Sequence, residues 1–190
     1  VERSTAETRI SCTLALDGTG TADISTGIGF LDHLTTALVK HARLDLTLSC
    51  NGDLEIDDHH TAEDCGIVLG QALDRALRDR SGIRRFGSAY APLDEALARA
   101  VVDISGRPSA SVDLGLTRER LGALSCENLP HFVASLATAA RLTVHLDVLR
   151  GSNDHHRAEA AFKALALALR RAVSRSAFDD VTSTKGTLAG

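Results

Sequence analysis

Four of the chain's eight histidines stand in two copies of one short pattern. The copies are His59-His60-Thr61-Ala62-Glu63 and His155-His156-Arg157-Ala158-Glu159. If each copy opens a helix, its glutamate lies three and four residues beyond the two histidines and shares a face with them. The paired imidazoles are then about 100° apart around the axis. They are badly placed to chelate one ion together, but well placed to serve two ions on either side of the helix. Neutral imidazole is the commonest metal ligand, and mixed nitrogen and oxygen donors suit a first-row divalent metal. One such pattern alone reads equally well as a polar helix start with solvated histidines. Two copies at matched places do not.

The match extends beyond the pattern. The two copies are 96 residues apart, and at a spacing of 98 His33 falls on His131. At a spacing of 88, Glu7 falls on Glu95 and Asp17-Gly18 on Ser105-Gly106. Shifting offsets of this kind are what small loop insertions in a duplicated chain produce. The repeated set is His33, His59, His60, Glu63, His131, His155, His156 and Glu159, enough for two sites of three histidines and one glutamate. An octahedral ion such as Mn²⁺ would keep two positions open in each, which suits catalysis better than a closed structural site. Zinc would also be accommodated, so the donor set leaves the metal open. His41 and His145 have no counterpart and are expected to be ordinary helix and strand residues.

The elements that must carry these residues can be read from periodicity. Residues 8–16 alternate as a strand, 17–20 read as a hairpin turn and 21–26 as the return strand. A helix is expected over 30–43, a strand over 44–49, a short strand over 54–56, and the first metal helix from there to about residue 80. The second half has strands over 97–104 and 109–114, a loop over 115–127, a helix over 129–140 and a strand over 142–148. The second metal helix follows, with Phe162, Leu165, Ala166, Leu169 and Val173 inward, and then a polar tail over 181–190. The expectation is an α+β fold of two ββαββα halves, residues 1–89 and 90–190, forming one compact unit.

Composition narrows the function classes. The net charge of −4 gives no basic field for a polyanion, and one Tyr, five Phe and no Trp make base stacking a poor expectation. There is no apolar run long enough to span a membrane and no signal-peptide pattern at the start. Four cysteines without CxxC spacing read as reduced, buried small residues, so the expected location is the cytoplasm.

Several longer motifs resemble one family. They are Leu16-Asp17-Gly18-Thr19-Gly20, Thr26-Gly27-Ile28-Gly29-Phe30-Leu31-Asp32-His33, and Gly52-Asp53-Leu54-Glu55-Ile56-Asp57-Asp58-His59-His60-Thr61-Ala62-Glu63-Asp64. Ala91-Pro92-Leu93-Asp94-Glu95-Ala96-Leu97, Asp103-Ile104-Ser105-Gly106-Arg107-Pro108, the stretch from His155 to Ala164, and Ser183-Thr184-Lys185-Gly186 complete the set. Together they resemble imidazoleglycerol-phosphate dehydratase over nearly the whole chain.

That resemblance implies two four-stranded sheets enclosing a helical layer, of the ribosomal protein S5 domain 2-like type. It implies two Mn²⁺ per active site, at subunit interfaces of a homo-24-mer. The implied reaction is dehydration of imidazole glycerol phosphate to imidazole acetol phosphate in histidine biosynthesis. Metal held against the ring nitrogens would let the imidazole expel the adjacent hydroxyl, a poor leaving group otherwise. By the resemblance, Glu7 matches the carboxylate that shuttles protons, and Arg85, Arg107, Lys163, Ser183 and Lys185 match phosphate-binding positions. Lys163 falls on Ile67 and Arg107 on Thr19, so the repeat is broken where one phosphate must be held. The chain departs from the family pattern at Ala37, Ala42 and Pro130. The competing enzyme class is a dinuclear metal hydrolase such as a phosphatase, which would release inorganic phosphate.

Overall fold

The structure is a computed structural model, and it describes residues 1–178 and 180–188. The last two residues of the expected polar tail, 189 and 190, lie outside the described residues.

The first half runs β1 (Glu2–Ser4), β2 (Thr8–Ala15), β3 (Ala22–Ser25), α1 (Gly29–Ala42), β4 (Asp45–Gly52) and α2 (His59–Leu77). The second runs β5 (Phe86–Leu93), β6 (Ala96–Asp103), β7 (Ser109–Asp113), the small hairpin β8 (Arg120–Leu121) and β9 (Leu124–Ser125), then α3 (Asn128–Ala139), β10 (Thr143–Arg150) and α4 (Asp154–Val173). The sheet orders are β1-β2-β4-β3 and β5-β6-β10-β7, which is the same order in both halves. In each, the third strand pairs in parallel with the fourth and the other pairs are antiparallel.

The α+β class and the two four-stranded sheets are as expected, but the order within each half, the β8–β9 hairpin aside, is βββαβα rather than ββαββα. Residues 54–56, expected as a strand, form a turn in which Ile56 N–H donates to Asp53 O at 2.8 Å, and Ile56 is left 68% exposed. The outer strands β1 and β5 take the places that the sequence reading left empty. β5 straddles the expected boundary at residue 89 and pairs with β6. The expected hairpin between the strands around 8–16 and 21–26 is also corrected, because β4 lies between β2 and β3. The cause is Asp45: its carboxylate accepts from the backbone N–H of Thr19, Gly20 and Thr21 at 2.8, 3.0 and 2.8 Å. The turn is thereby fastened to the start of β4 instead of folding back on β2.

Strand alternation puts one face of each sheet on the helices. Thr8, Ile10 and Cys12 point inward from β2, and Ala96, Ala98, Ala100 and Val102 from β6. Between the sheets α2 packs on α3 and α1 on α4, so helices of one half meet helices of the other. α4 is buried on much of its circumference by alanines, with Phe162 stacked on Phe132 at 6.0 Å. α2 comes closest to α3 at Gly66 and Gly70. A Cβ there would lie 2.7 Å from Phe132 O and 2.5 Å from Leu136 O. The rotation of α2 is fixed by buried Asp64, which accepts from Thr8 Oγ1 at 2.5 Å and from the Arg3 guanidinium at 2.8 Å. Cys12, Cys65 and Cys126 are buried, Cys50 is half-buried, and all four are free. No described helix is long and apolar enough to cross a membrane.

Candidate metal centre

Each histidine pair stands in the first turn of its helix. Asn153 Oδ1 accepts from His155 N–H at 2.9 Å, and Asp57 Oδ1 accepts from His59 N–H at 2.8 Å. Asp58, between Asp57 and His59, makes no side-chain cap hydrogen bond. It accepts from Ser125 N–H at 2.5 Å and Ser125 Oγ at 2.8 Å. Its counterpart Asp154 accepts from Thr117 N–H, Thr117 Oγ1 and Arg118 N–H at 2.8, 3.0 and 2.7 Å. The loop between β7 and α3 is therefore clasped at both ends by the carboxylates that precede the two histidine pairs. Burial works to raise the pKa of each carboxylate, but these donors outweigh it and the net shift is downward. Their contribution to stability is thus present above the unfolded carboxylate pKa of about 3.9 and fades as pH falls through the lower folded value. Asp154→Ala leaves two backbone donors of the loop unpaired and is expected to cost on the order of 2 kcal/mol. Urea unfolding of the variant against the parent chain measures this, and an unchanged midpoint would remove the clasp from the account.

The histidines and glutamates come together as two groups. His33, His155 and Glu159 form one, and His59, Glu63 and His131 form the other, with ligand atoms all within 4.8 Å of one another. In the first group, His33 Nε2 and His155 Nε2 lie 3.0 and 3.2 Å from Glu159 Oε2. In the second, Glu63 lies 3.9 Å from His59 Nε2 and 3.4 Å from His131 Nε2, and the two rings stack at 4.8 Å. Each group draws two ligands from one metal helix and its third from a helix of the other half.

His60 and His156 stand apart from both groups. The 100° helical step sends them to another side of the helix, and their rings are set at 76° and 88° to those of His59 and His155. His60 Nδ1 is 3.0 Å from Asp53 Oδ2, and its Nε2 is 3.7 Å from Glu7 Oε1. His156 Nδ1 is 2.7 Å from Glu95 Oε2, and its Nε2 is 3.7 Å from Asp94 Oδ2. The hydrogen bond to each carboxylate pushes both imidazoles' pKa values up. In both rings the carboxylate fixes Nδ1 and turns Nε2 outward, which is the usual support of a metal-ligating histidine.

The residues fit a divalent metal. His131 Nε2 is buried and has no hydrogen-bond partner among the described residues, an arrangement that is costly unless something binds there. His59 Nδ1 pairs with Asn128 Oδ1 at 3.1 Å, which leaves Nε2 facing the group. Two imidazole nitrogens and a carboxylate oxygen are a donor set that first-row divalent ions favour.

The expected phosphate residues divide. Arg85, Arg107, Ser183 and Lys185 line one open cleft of about 550 Å³. Arg85 is held there by Asp103, at 2.7 and 3.1 Å, and by Thr182 O. Lys163 is not among the residues lining that cleft, and its Nζ is 2.7 Å from Glu159 Oε1. Burial works to raise the Glu159 pKa, but hydrogen bonds from Lys163 and His33 outweigh it and hold it at about 2. Asn128, Phe30, Asp53, Asp58 and Asp154 are not among the expected site residues. Only the last pair carried a signal, since Asp58 and Asp154 share the 96-residue spacing of the motifs. His41, without a counterpart, lies close enough to Lys163 and Glu159 to feel both charges; burial and Lys163 lower its pKa.

The family described as Imidazoleglycerol-phosphate dehydratase matches residues 26–169. A relative of that name from Phytophthora nicotianae is 61% identical over 189 residues, covering all of this chain and 42% of the relative. The chain thus spans about two fifths of that relative's length. One from Candida glabrata is 56% identical over 207 residues, covering all of this chain and 99% of the relative. A crystal structure of the Pyrococcus furiosus protein superimposes with a TM-score of 0.85 at 38% identity, over 98% of this chain and 99% of that one.

Proposed function

The chain belongs to the imidazoleglycerol-phosphate dehydratase family, and we propose that it is a hydro-lyase of histidine biosynthesis working in the cytoplasm. It converts D-erythro-imidazole glycerol phosphate to imidazole acetol phosphate with two manganese ions per active site. The observation that carries this reading is the pair of two-histidine, one-glutamate groups, one of them holding a buried imidazole nitrogen that makes no hydrogen bond among the described residues.

When bound, the two ions would supply Lewis acidity to the substrate's imidazole. The residues of the chain do the rest. His33, His155 and Glu159 would hold one ion, and His59, Glu63 and His131 the other. His60 and His156, which face away from both groups of their own chain, complete the groups of neighbouring copies in a homo-24-mer. Glu7 is exposed, with Oε1 3.7 Å from His60 Nε2. It moves the proton between the C–H carbon, the departing hydroxyl and water. Arg107, Ser183, Lys185 and Arg85 bind the phosphate, joined by Lys163. The guanidinium of Arg107 has no hydrogen-bond partner among the described residues, which suits an incoming oxyanion.

The test is turnover of imidazole glycerol phosphate after chelation and manganese add-back, with ketone and free phosphate assayed in parallel. Manganese-dependent ketone without phosphate release is the expected result. Phosphate release alone would replace the lyase with a metal hydrolase. Glu7→Gln is expected to keep its metal and lose turnover by about 100-fold or more; turnover equal to the parent's would take Glu7 out of the mechanism.

A further inference from the structure

We propose that the two metal groups are unequal, the Glu63 group taking the first divalent ion and the Glu159 group taking the second only as Lys163 leaves its carboxylate. This rests on the reading of both groups as metal sites. It goes beyond that reading by assigning an order, and the residues that set it.

The two groups are counterparts in the repeat, and their ligands match one for one. Their surroundings do not. Lys163 occupies the position that Ile67 holds in the first half, at the 96-residue spacing of the motifs. Asn128 occupies the position that Phe30 holds, at the 98-residue spacing of His33 and His131. Both substitutions bear directly on the ligands.

In the Glu63 group the donors are waiting. Glu63 makes no hydrogen bond among the described residues, and its ion-pair distances of 3.4 and 3.9 Å to His131 and His59 are long. His131 Nε2 is buried and makes no hydrogen bond among the described residues. The His59 ring is fixed by Asn128, itself 2% exposed, so its free nitrogen is oriented before any ion arrives. An ion entering here breaks no short contact and relieves a desolvated nitrogen.

In the Glu159 group the donors are already engaged with one another. Glu159 Oε1 accepts from Lys163 Nζ at 2.7 Å, and Oε2 is 3.0 and 3.2 Å from the two histidine nitrogens. An ion entering here must displace a half-buried ammonium from its carboxylate and separate both rings from it. Nothing compensates at His155, whose neighbour is the Phe30 ring at 5.1 Å rather than a hydrogen-bonding amide. Both differences act in the same direction. They also link the second ion to the anion site, because the ammonium that leaves Glu159 is then free to pair with a phosphate.

Manganese titration of the chelator-treated full chain, followed by the electron-paramagnetic resonance of free Mn²⁺, tests the order. Two classes in equal number are expected, differing by about tenfold or more in affinity. Asn128→Ala should weaken the tight class about tenfold and leave the weak class alone. Lys163→Gln should tighten the weak class towards the other, until one class fits the data. A single class in the parent chain, or a weak class that Lys163→Gln does not move, would overturn the proposal while leaving both groups as metal sites. No manganese binding in the parent chain would sink the metal reading itself, and the order with it.

Discussion

His60→Ala is expected to lower manganese affinity by about 100-fold or more and turnover with it, although His60 belongs to neither metal group of its own chain. Three ligands are brought together in each group, and the proposed sites need a fourth. His60 is prepared for that role: Asp53 holds Nδ1 at 3.0 Å and leaves Nε2 turned outward, 3.7 Å from Glu7. Its removal exposes no core, because the ring is on the surface side of α2, so the fold should survive. Metal content after dialysis, measured beside thermal unfolding, separates the two effects. A variant with full manganese and normal turnover would exclude His60 as a ligand and leave the three-residue groups to bind their ions alone. The matching variant His156→Ala should behave alike, since Glu95 supports that ring in the same way at 2.7 Å.

Gly66→Val is expected to destabilise the chain by about 3 kcal/mol and to weaken the Glu63 group as well. Ordinary helix propensity argues the other way, because glycine inside a helix is unfavourable by about 1 kcal/mol against alanine. Packing wins here. A Cβ at this position would stand 2.7 Å from Phe132 O and 3.2 Å from Ser135 Cβ, and a backbone carbonyl cannot swing aside as a flexible side chain can. The remedy open to the chain is to part α2 from α3. These are the helices that stack His59 on His131 at 4.8 Å. Urea unfolding and manganese titration of the same preparation would be read together. Unchanged stability would show that the helices have slack at this crossing, and lost stability with normal metal affinity would uncouple the packing from the site.

The two groups of histidine and glutamate were legible because histidines in a duplicated arrangement are chemically uncommon and their spacing is local. Asn128 was not legible. It reaches His59 across 69 residues of chain, and nothing near either residue announces the contact. Strand existence was easier to read than strand partnership. Alternation in residues 8–16 and 21–26 gives two strands but does not say that β4 passes between them; the three hydrogen bonds onto Asp45 decide that. β5 escaped for a different reason. Its inward residues are Gly87, Ala89 and Ala91, while Phe86 and Tyr90 face outward at 55% and 60% exposure. Small residues are required on the inner face because α4 lies close against it, so the usual contrast of large apolar inside and polar outside is inverted. The turn at residues 54–56 misled in the opposite way, since Leu54 and Ile56 alternate like a strand and yet remain exposed.

The crossing of ligands between the halves has an ancestral consequence. His33 joins a pair from the second half, and His131 joins a pair from the first. A polypeptide of half this length would carry one pair and one lone histidine, and could close no group by itself. Two copies related by a twofold axis would close both at once, each lending its lone histidine to the other's pair. Joined in one chain, the two centres are free to differ, and Lys163 opposite Ile67 and Asn128 opposite Phe30 are where they do so.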